Sequence, residues 1–187
     1  GGADIDFEDV ELYTYDEQSV AVPAALVEPF EIELDDPTPI SMKVRNIKLK
    51  DREEVQRQIS ELLEAGIIVQ SNSPWAFPIV VVHQKGKVRM CLDVRRLNER
   101  TIKDPYPVPL VSELLALIRE KKVFTQLDFK KGYWQVPLSE QASRVCTMIT
   151  PWGKFSFKRM IFGLCNAPSK FQRVLDEIFG DIPQWKV

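Results

Sequence analysis

Between residues 51 and 65 the apolar positions recur in helical register. Val55, Ile59, Leu62 and Leu63 share one face and leave the charged residues on the other. Asp51 stands at the expected N-cap with Glu54 at capping-box spacing, and Gly66 suits the left-handed residue that ends such a helix. The period then shortens. Two apolar, β-branched runs, 78–83 and 88–94, flank Gln84-Lys85-Gly86-Lys87, which predicts a β-hairpin with a basic tip. A short helical turn is expected at 95–98. Pro105, Pro107 and Pro109 make a rigid, extended connector, because each fixes its own φ and restricts the residue before it. Val111, Leu114, Leu115 and Ile118 predict a helix near 110–120, and a strand follows at 123–129. A second hairpin, 145–150 with 154–159, turns over Pro151-Trp152-Gly153. The last helix spans 167–179, with Asn166 as cap, Pro168 in its first turn and Phe171, Val174, Leu175, Ile178 and Phe179 on its apolar face. Ahead of all this, 1–28 reads as an arm ordered only where it docks. Ile32 and Leu34 alternate with Glu31 and Glu33, so a short edge strand is expected near 29–34.

These elements give an α+β fold, with helices packed on an antiparallel sheet. The 187 residues suffice for one domain plus an arm, with a real core. Charge divides the chain. Residues 1–40 hold 12 of the 27 acidic residues and no Lys or Arg, so 41–187 carry all 25 basic residues against 15 acidic ones. A basic body attracts a polyanion, and the acidic arm repels one or competes with it. The plain alternative is a solvated tail on an ordinary body. Cys91, Cys146 and Cys165 have no metal-ligand or CxxC spacing and sit among apolar residues, so reduced, buried thiols are expected. Without a signal-peptide pattern or an apolar run near the ~20 residues that span a bilayer, the expected setting is intracellular, cytoplasm or nucleus, with no membrane partner.

One carboxylate stands out. Asp128 closes the apolar 123–129 run and is followed by Lys130-Lys131-Gly132-Tyr133. A strand-end carboxylate beside a glycine turn can hold a hard cation such as Mg²⁺. Alone it is more often a turn residue.

The order of several segments adds specificity. Ala65-Gly66-Ile67-Ile68, the run 71–78 (SNSPWAFP), the run 88–98 (VRMCLDVRRLN) and the run 101–110 (TIKDPYPVPL) resemble the fingers of gypsy-type LTR-retrotransposon reverse transcriptases. Residues 124–138 (FTQLDFKKGYWQVPL) resemble that family's first catalytic motif, and 162–172 (FGLCNAPSKFQ) its nucleotide- and template-contacting motif. The likeness covers about 35–187 and divides the chain into an acidic arm (1–34), a fingers-like region (35–122) and a partial palm (123–187).

The resemblance implies roles. Asp128 is the first metal-binding and catalytic aspartate, with the Phe129 carbonyl as a second ligand for Mg²⁺. Tyr133 lies under the incoming sugar and excludes a ribose 2′-hydroxyl. Arg89 contacts the triphosphate, helped by Lys85 or Lys87. Phe162 and Gly163 line the nucleotide and template pocket, while Pro74, Trp75, Asp93 and Arg95 follow the template. The implied partner is an RNA/DNA primer–template. Simpler readings compete: Arg89 and Arg95 as surface charges, Tyr133 and Trp134 as core aromatics, Asp93 and Arg95 as a mutual ion pair.

The sequence departs from the family pattern. Ile161 replaces the usual proline before Phe162, Val145-Cys146-Thr147-Met148 replaces a Lys-Thr-Ala-Phe-like run, and His83-Gln84 replaces a pair of lysines, which weakens the triphosphate grip. The family's Asp-Asp hairpin is expected just after 181–187 and is not within these residues. Three expectations follow: a truncated polymerase domain, catalytically incomplete as this chain and without stable Mg²⁺; an exposed palm edge at the Asp128 strand that draws a homodimer or protein partner; and, as alternatives, a host-captured remnant serving protein binding, or a non-catalytic nucleic-acid binder.

Overall fold

The computed structural model describes residues 24–84, 86–108, 110–119, 122 and 127–181. Helix α1 (Leu49–Glu64) turns Val55, Ile59 and Leu62 into the core, on the predicted face. It begins earlier than expected. Lys48 occupies the N-cap without a side-chain bond, and Asp51 is a buried first-turn residue 3.0 Å from His83 Nε2. Glu54 makes no capping box; it bonds Arg57 and Gln58 instead. Gly66, at φ +65, closes the helix as predicted.

Strand β1 (Ile68–Gln70) leads to the first hairpin, β2 (Phe77–Gln84) with β3 (Lys87–Leu92), in register from Ile79 opposite Leu92 to Gln84 opposite Lys87. Helix α2 (Arg95–Asn98) is the predicted turn, and α3 (Val111–Ile118) lies inside the predicted second helix. Glu113 of α3 accepts the Leu110 N–H at 3.3 Å. Of the predicted strand 123–129, residues 123–126 lie outside the described residues, and 127–129 are irregular. The edge on which the dimer expectation stood therefore falls largely outside the described residues.

Helix α4 (Gly132–Gln135) and helix α5 (Glu140–Val145) follow. The second was not anticipated; its N-cap Ser139 accepts the Ala142 N–H at 3.1 Å. It takes Val145, the first residue of the predicted second hairpin, which is β4 (Thr147–Thr150) with β5 (Gly153–Phe157). Helix α6 (Ala167–Phe179) matches its predicted limits. Asn166 does not cap it. Its side chain donates to Ile102 O at 2.7 Å and accepts from Asp104 N at 3.1 Å, tying the proline connector to α6.

The five strands form one sheet, in the order β1-β5-β4-β2-β3. It is mixed rather than antiparallel, because β2 and β4 run parallel with Phe77 opposite Met148. More than sixty residues separate those two strands, ample for the crossover that a parallel pair needs. The sheet joins the two hairpins across the expected boundary at 122–123. Phe77, Ile67, Ile68, Met148, Met160 and Cys146 are fully buried around it. The cysteine expectation holds for Cys146 alone: Cys91 is exposed and Cys165 half-buried. Cys91 follows the two-residue period of β3, on the same exposed face as Lys87 and Arg89.

The described arm has no strand. It makes isolated bridges, Phe30 with Leu138 and Leu34 with Thr101, and buries Phe30 and Ile32. Among the described residues no helix is long and apolar enough to cross a membrane.

Candidate functional site

Two distant motifs meet at one aromatic platform. Lys131 takes the left-handed conformation (φ 48, ψ 44), and the chain turns sharply into α4. That turn sets Tyr133 against Phe162, their rings 4.7 Å apart and 29° from parallel, and edge-on to Phe171 at 5.3 Å. Burial pushes the Tyr133 hydroxyl pKa upward. Phe162 is 65% exposed, so the platform is open on one side. A Cβ on Gly132 would lie 2.7 Å from the Phe171 ring, so only glycine lets α4 come this close to α6.

Asp128 is exposed at the start of this turn. The next side chain, Phe129, is held edge-on by Phe171 and Phe179 of α6, at 6.1 and 6.0 Å. Its carbonyl accepts the Gly132 N–H at 3.2 Å, leaving a second lone pair. Among the described residues no three His, Cys, Asp or Glu side chains converge into a metal cluster. One exposed carboxylate does fit a hydrated Mg²⁺, which takes one or two protein carboxylates and fills its shell with water and phosphate oxygens.

The Phe162–Gly163 turn is gripped from the fingers-like side. Asn98 Nδ2 donates to Gly163 O at 2.7 Å, and Asn98 Oδ1 accepts the Cys165 N–H at 3.0 Å. Gly163 has φ +94, a conformation that favours glycine. Asn98 is a positioning residue that pattern reading did not single out.

Lys87 and Arg89 are exposed on β3 and line a groove of about 870 Å³ with α1 and Trp134, the neighbour of Tyr133. Lys85 lies outside the described residues. The carboxylates of α1 in this groove are already engaged: Arg57 bonds Glu54 at 2.6 Å and also Glu61. With Gln58 it holds the Glu54 carboxyl down at about 2. One arginine between two carboxylates leaves α1 with −1, so Lys87 and Arg89 give the lining of this groove a net charge of +1.

The expected template residues divide. Pro74 is exposed, but Trp75 is buried and stacks on Phe77 at 6.2 Å, so its ring belongs to the core. Asp93 is buried as well. Its carboxylate accepts from Arg95 Nε at 2.8 Å and Nη2 at 2.7 Å, and from Arg45 Nη2 at 2.7 Å. Hydrogen bonding to Arg95 leads in holding its pKa down at about 2. The competing ion-pair reading of Asp93 and Arg95 is therefore correct as geometry, and Arg45 joins it from a stretch with no pattern to flag it.

The chain is similar to known proteins over most of its length. Residues 78–186 match the family described as reverse transcriptase (RNA-dependent DNA polymerase). The chain is 40% identical over 155 residues to the enzymatic polyprotein of cauliflower mosaic virus (strain CM-1841), covering 79% of this chain and 23% of that protein. It is 40% identical over 134 residues to the retrovirus-related Pol polyprotein from transposon gypsy of Drosophila melanogaster, covering 68% of this chain and 13% of that one. The chain thus spans less than a quarter of the length of either relative. Among solved structures, a prototype foamy virus protease–reverse transcriptase (CSH mutant) superimposes with TM-score 0.80 at 26% identity, over 92% of this chain and 23% of that one. The foamy viral protease–reverse transcriptase in complex with RNA/DNA hybrid gives 0.77 at 20% identity, over the same 92% and 23%.

Proposed function

Since the chain belongs to the reverse transcriptase (RNA-dependent DNA polymerase) family, we propose that it forms the nucleotide- and template-facing part of an RNA-directed DNA polymerase of the retrotransposon and viral Pol type. The observation that carries this reading is the Tyr133–Phe162 stack, assembled from two separate motifs directly after Asp128. A flat aromatic surface open on one side suits a sugar and base, and it stands as a steric stop to a 2′-hydroxyl.

Asp128 supplies a carboxylate ligand for Mg²⁺, with the free lone pair of the Phe129 carbonyl beside it. Mg²⁺, when bound, neutralises phosphate charge and orients the attacking and leaving oxygens. Lys87 and Arg89, exposed on β3, grip the triphosphate. Gly163 lets the backbone approach the template base, and Pro74 guides the template strand. A primer–template is the macromolecular partner.

The test is binding of a recessed primer–template by this chain, read by fluorescence anisotropy, with and without the matched nucleotide and Mg²⁺. The matched deoxynucleotide should stabilise the complex more than its ribonucleotide counterpart. Tyr133→Ala should bring the two together while leaving primer–template affinity nearly unchanged. Equal stabilisation by both nucleotides in the wild-type chain would reject the reading of Tyr133, and absence of binding at low salt would reject the function.

A further inference from the structure

The proline connector is bonded to α6 turn by turn. At the start of the helix Asn166 holds Ile102 O and the Asp104 N–H, and Ser169 Oγ donates to Asp104 O at 3.4 Å. One turn on, Arg173 donates to the Asp104 carboxylate, from Nη2 at 2.8 Å and from Nε at 3.3 Å. Its guanidinium carbon also lies 4.0 Å from the centre of the Tyr106 ring. The Tyr106 hydroxyl donates to Asp176 Oδ2 at 2.7 Å, and Asp176 Oδ1 accepts from Gln172 Nε2, of a buried side chain, at 3.0 Å. Asn166, Ser169, Arg173 and Asp176 share one side of α6. Pro105 and Pro107 stiffen the backbone on either side of Tyr106, so the connector is a strut rather than a slack loop.

We propose that Tyr106, Asp104 and Arg173 are positioning residues for nucleotide selection: they brace α6 from behind and so set the gap between Tyr133 and Phe162. The proposal rests on the reading of Tyr133 above and extends it to a network outside the platform. Phe171 stands on the face of α6 opposite the strut. Its ring meets Tyr133 at 5.3 Å and Phe129 at 6.1 Å. Tyr133 is therefore held between two rings with separate anchors. Phe162 is fixed through the hold of Asn98 on Gly163, and Phe171 through α6. There is no slack between α4 and α6, because a Cβ on Gly132 would already lie 2.7 Å from the Phe171 ring. A displacement of α6 thus passes directly to Tyr133. The ties of the brace suit this task, since a hydroxyl on a carboxylate and a guanidinium fork on another are directional as well as strong.

The experiment compares wild type with two variants. Tyr106→Phe removes one hydroxyl and keeps the ring beneath Arg173, whereas Arg173→Lys keeps the charge and loses the fork. Nucleotide titrations of the primer–template complex, read by anisotropy, give the ratio of apparent Kd for the matched ribonucleotide over the deoxynucleotide. Tyr106→Phe should lower that ratio by about 3- to 10-fold, the worth of one hydrogen bond. Arg173→Lys should lower it in the same direction. In the free chain, the ring-proton NMR resonances of Tyr133 and Phe162 should move in both variants, because each ring lies in the ring current of the other. A network that only holds the fold would lower stability in denaturant and weaken both nucleotides equally. An unchanged ratio in Tyr106→Phe, or unmoved Tyr133 and Phe162 resonances, would overturn the brace while leaving the polymerase reading intact. Wild type that does not distinguish the two nucleotides would reject the reading of Tyr133, and the selective role of the brace with it.

Discussion

The two hairpins share a sheet and have opposite fates. In β4–β5, Thr147, Met148, Thr150, Phe155, Ser156 and Phe157 are all buried. Even its hydroxyls are internal: Thr147 and Ser156 bond at 2.7 Å, and Ser156 bonds Ser71 at 2.7 Å. In β2–β3, burial fades along the strand, from Phe77 in the core to exposed Gln84, and β3 keeps Lys87, Arg89 and Cys91 exposed. The second hairpin has neighbours on both sides in the sheet, while β3 is an edge strand. A hairpin in the middle of the sheet becomes core, whereas one at the edge keeps its charged side chains exposed. Lysine and arginine on such an edge also discourage unwanted strand pairing.

Thiol labelling should show the largest contrast. Burial pushes the Cys146 thiol up to about 12, next to β4, while Cys91 is exposed on β3. A thiol reagent in native buffer should modify Cys91 at least ~1,000-fold faster than Cys146, which reacts only on unfolding. Half-buried Cys165 should fall between them. Comparable rates for Cys91 and Cys146 would break the comparison outright.

Next in size is packing. Met148→Ala on β4 should cost about 2–5 kcal/mol in chemical denaturation, because its side chain is wholly buried. Val82→Ala on β2, where the side chain is 42% exposed, should cost less than about 1 kcal/mol. Gly132→Ala should fall between, at about 1–3 kcal/mol, since the new methyl group displaces the Phe171 ring. It should also shift Tyr133 and so weaken the discrimination between deoxy- and ribonucleotide in the anisotropy assay.

A pH titration sharpens the picture at the base of β3. Asp93 has its folded pKa lowered from 3.8 to about 2. Its contribution is therefore complete above about pH 4 and is lost as pH falls through 2, because the unfolded chain takes up the proton first. Wild type should lose stability over that window relative to Asp93→Asn, with a difference on the order of 1–3 kcal/mol at neutral pH. Parallel acid limbs in the two proteins would show that the ion pairs contribute nothing. The smallest expected effect on stability is Arg89→Ala, within about 0.5 kcal/mol, although it should weaken triphosphate binding.

Local pattern carried much of this architecture. The 3.6-residue period placed α1 and α6, and the two-residue period with Gly86 and Gly153 placed both hairpins. It failed where a side chain had a better partner than its own backbone. Asp51 looked like a cap and serves His83; Asn166 looked like a cap and bridges Ile102 and Asp104. Helix α5 is six residues long, too short for a periodic signal, and rests on its Ser139 cap.

For the site, motif order alone named Asp128, Tyr133, Phe162, Arg89 and Asp93, because those residues sit in recognisable strings. Their spatial relations came from the fold. The stacking of Tyr133 on Phe162 and the pairing of Arg45 with Asp93 join segments far apart in the chain. Periodicity and capping act over a few residues and are written locally, whereas a contact across 48 positions, such as Arg45 to Asp93, exists only once packing has brought its two ends together.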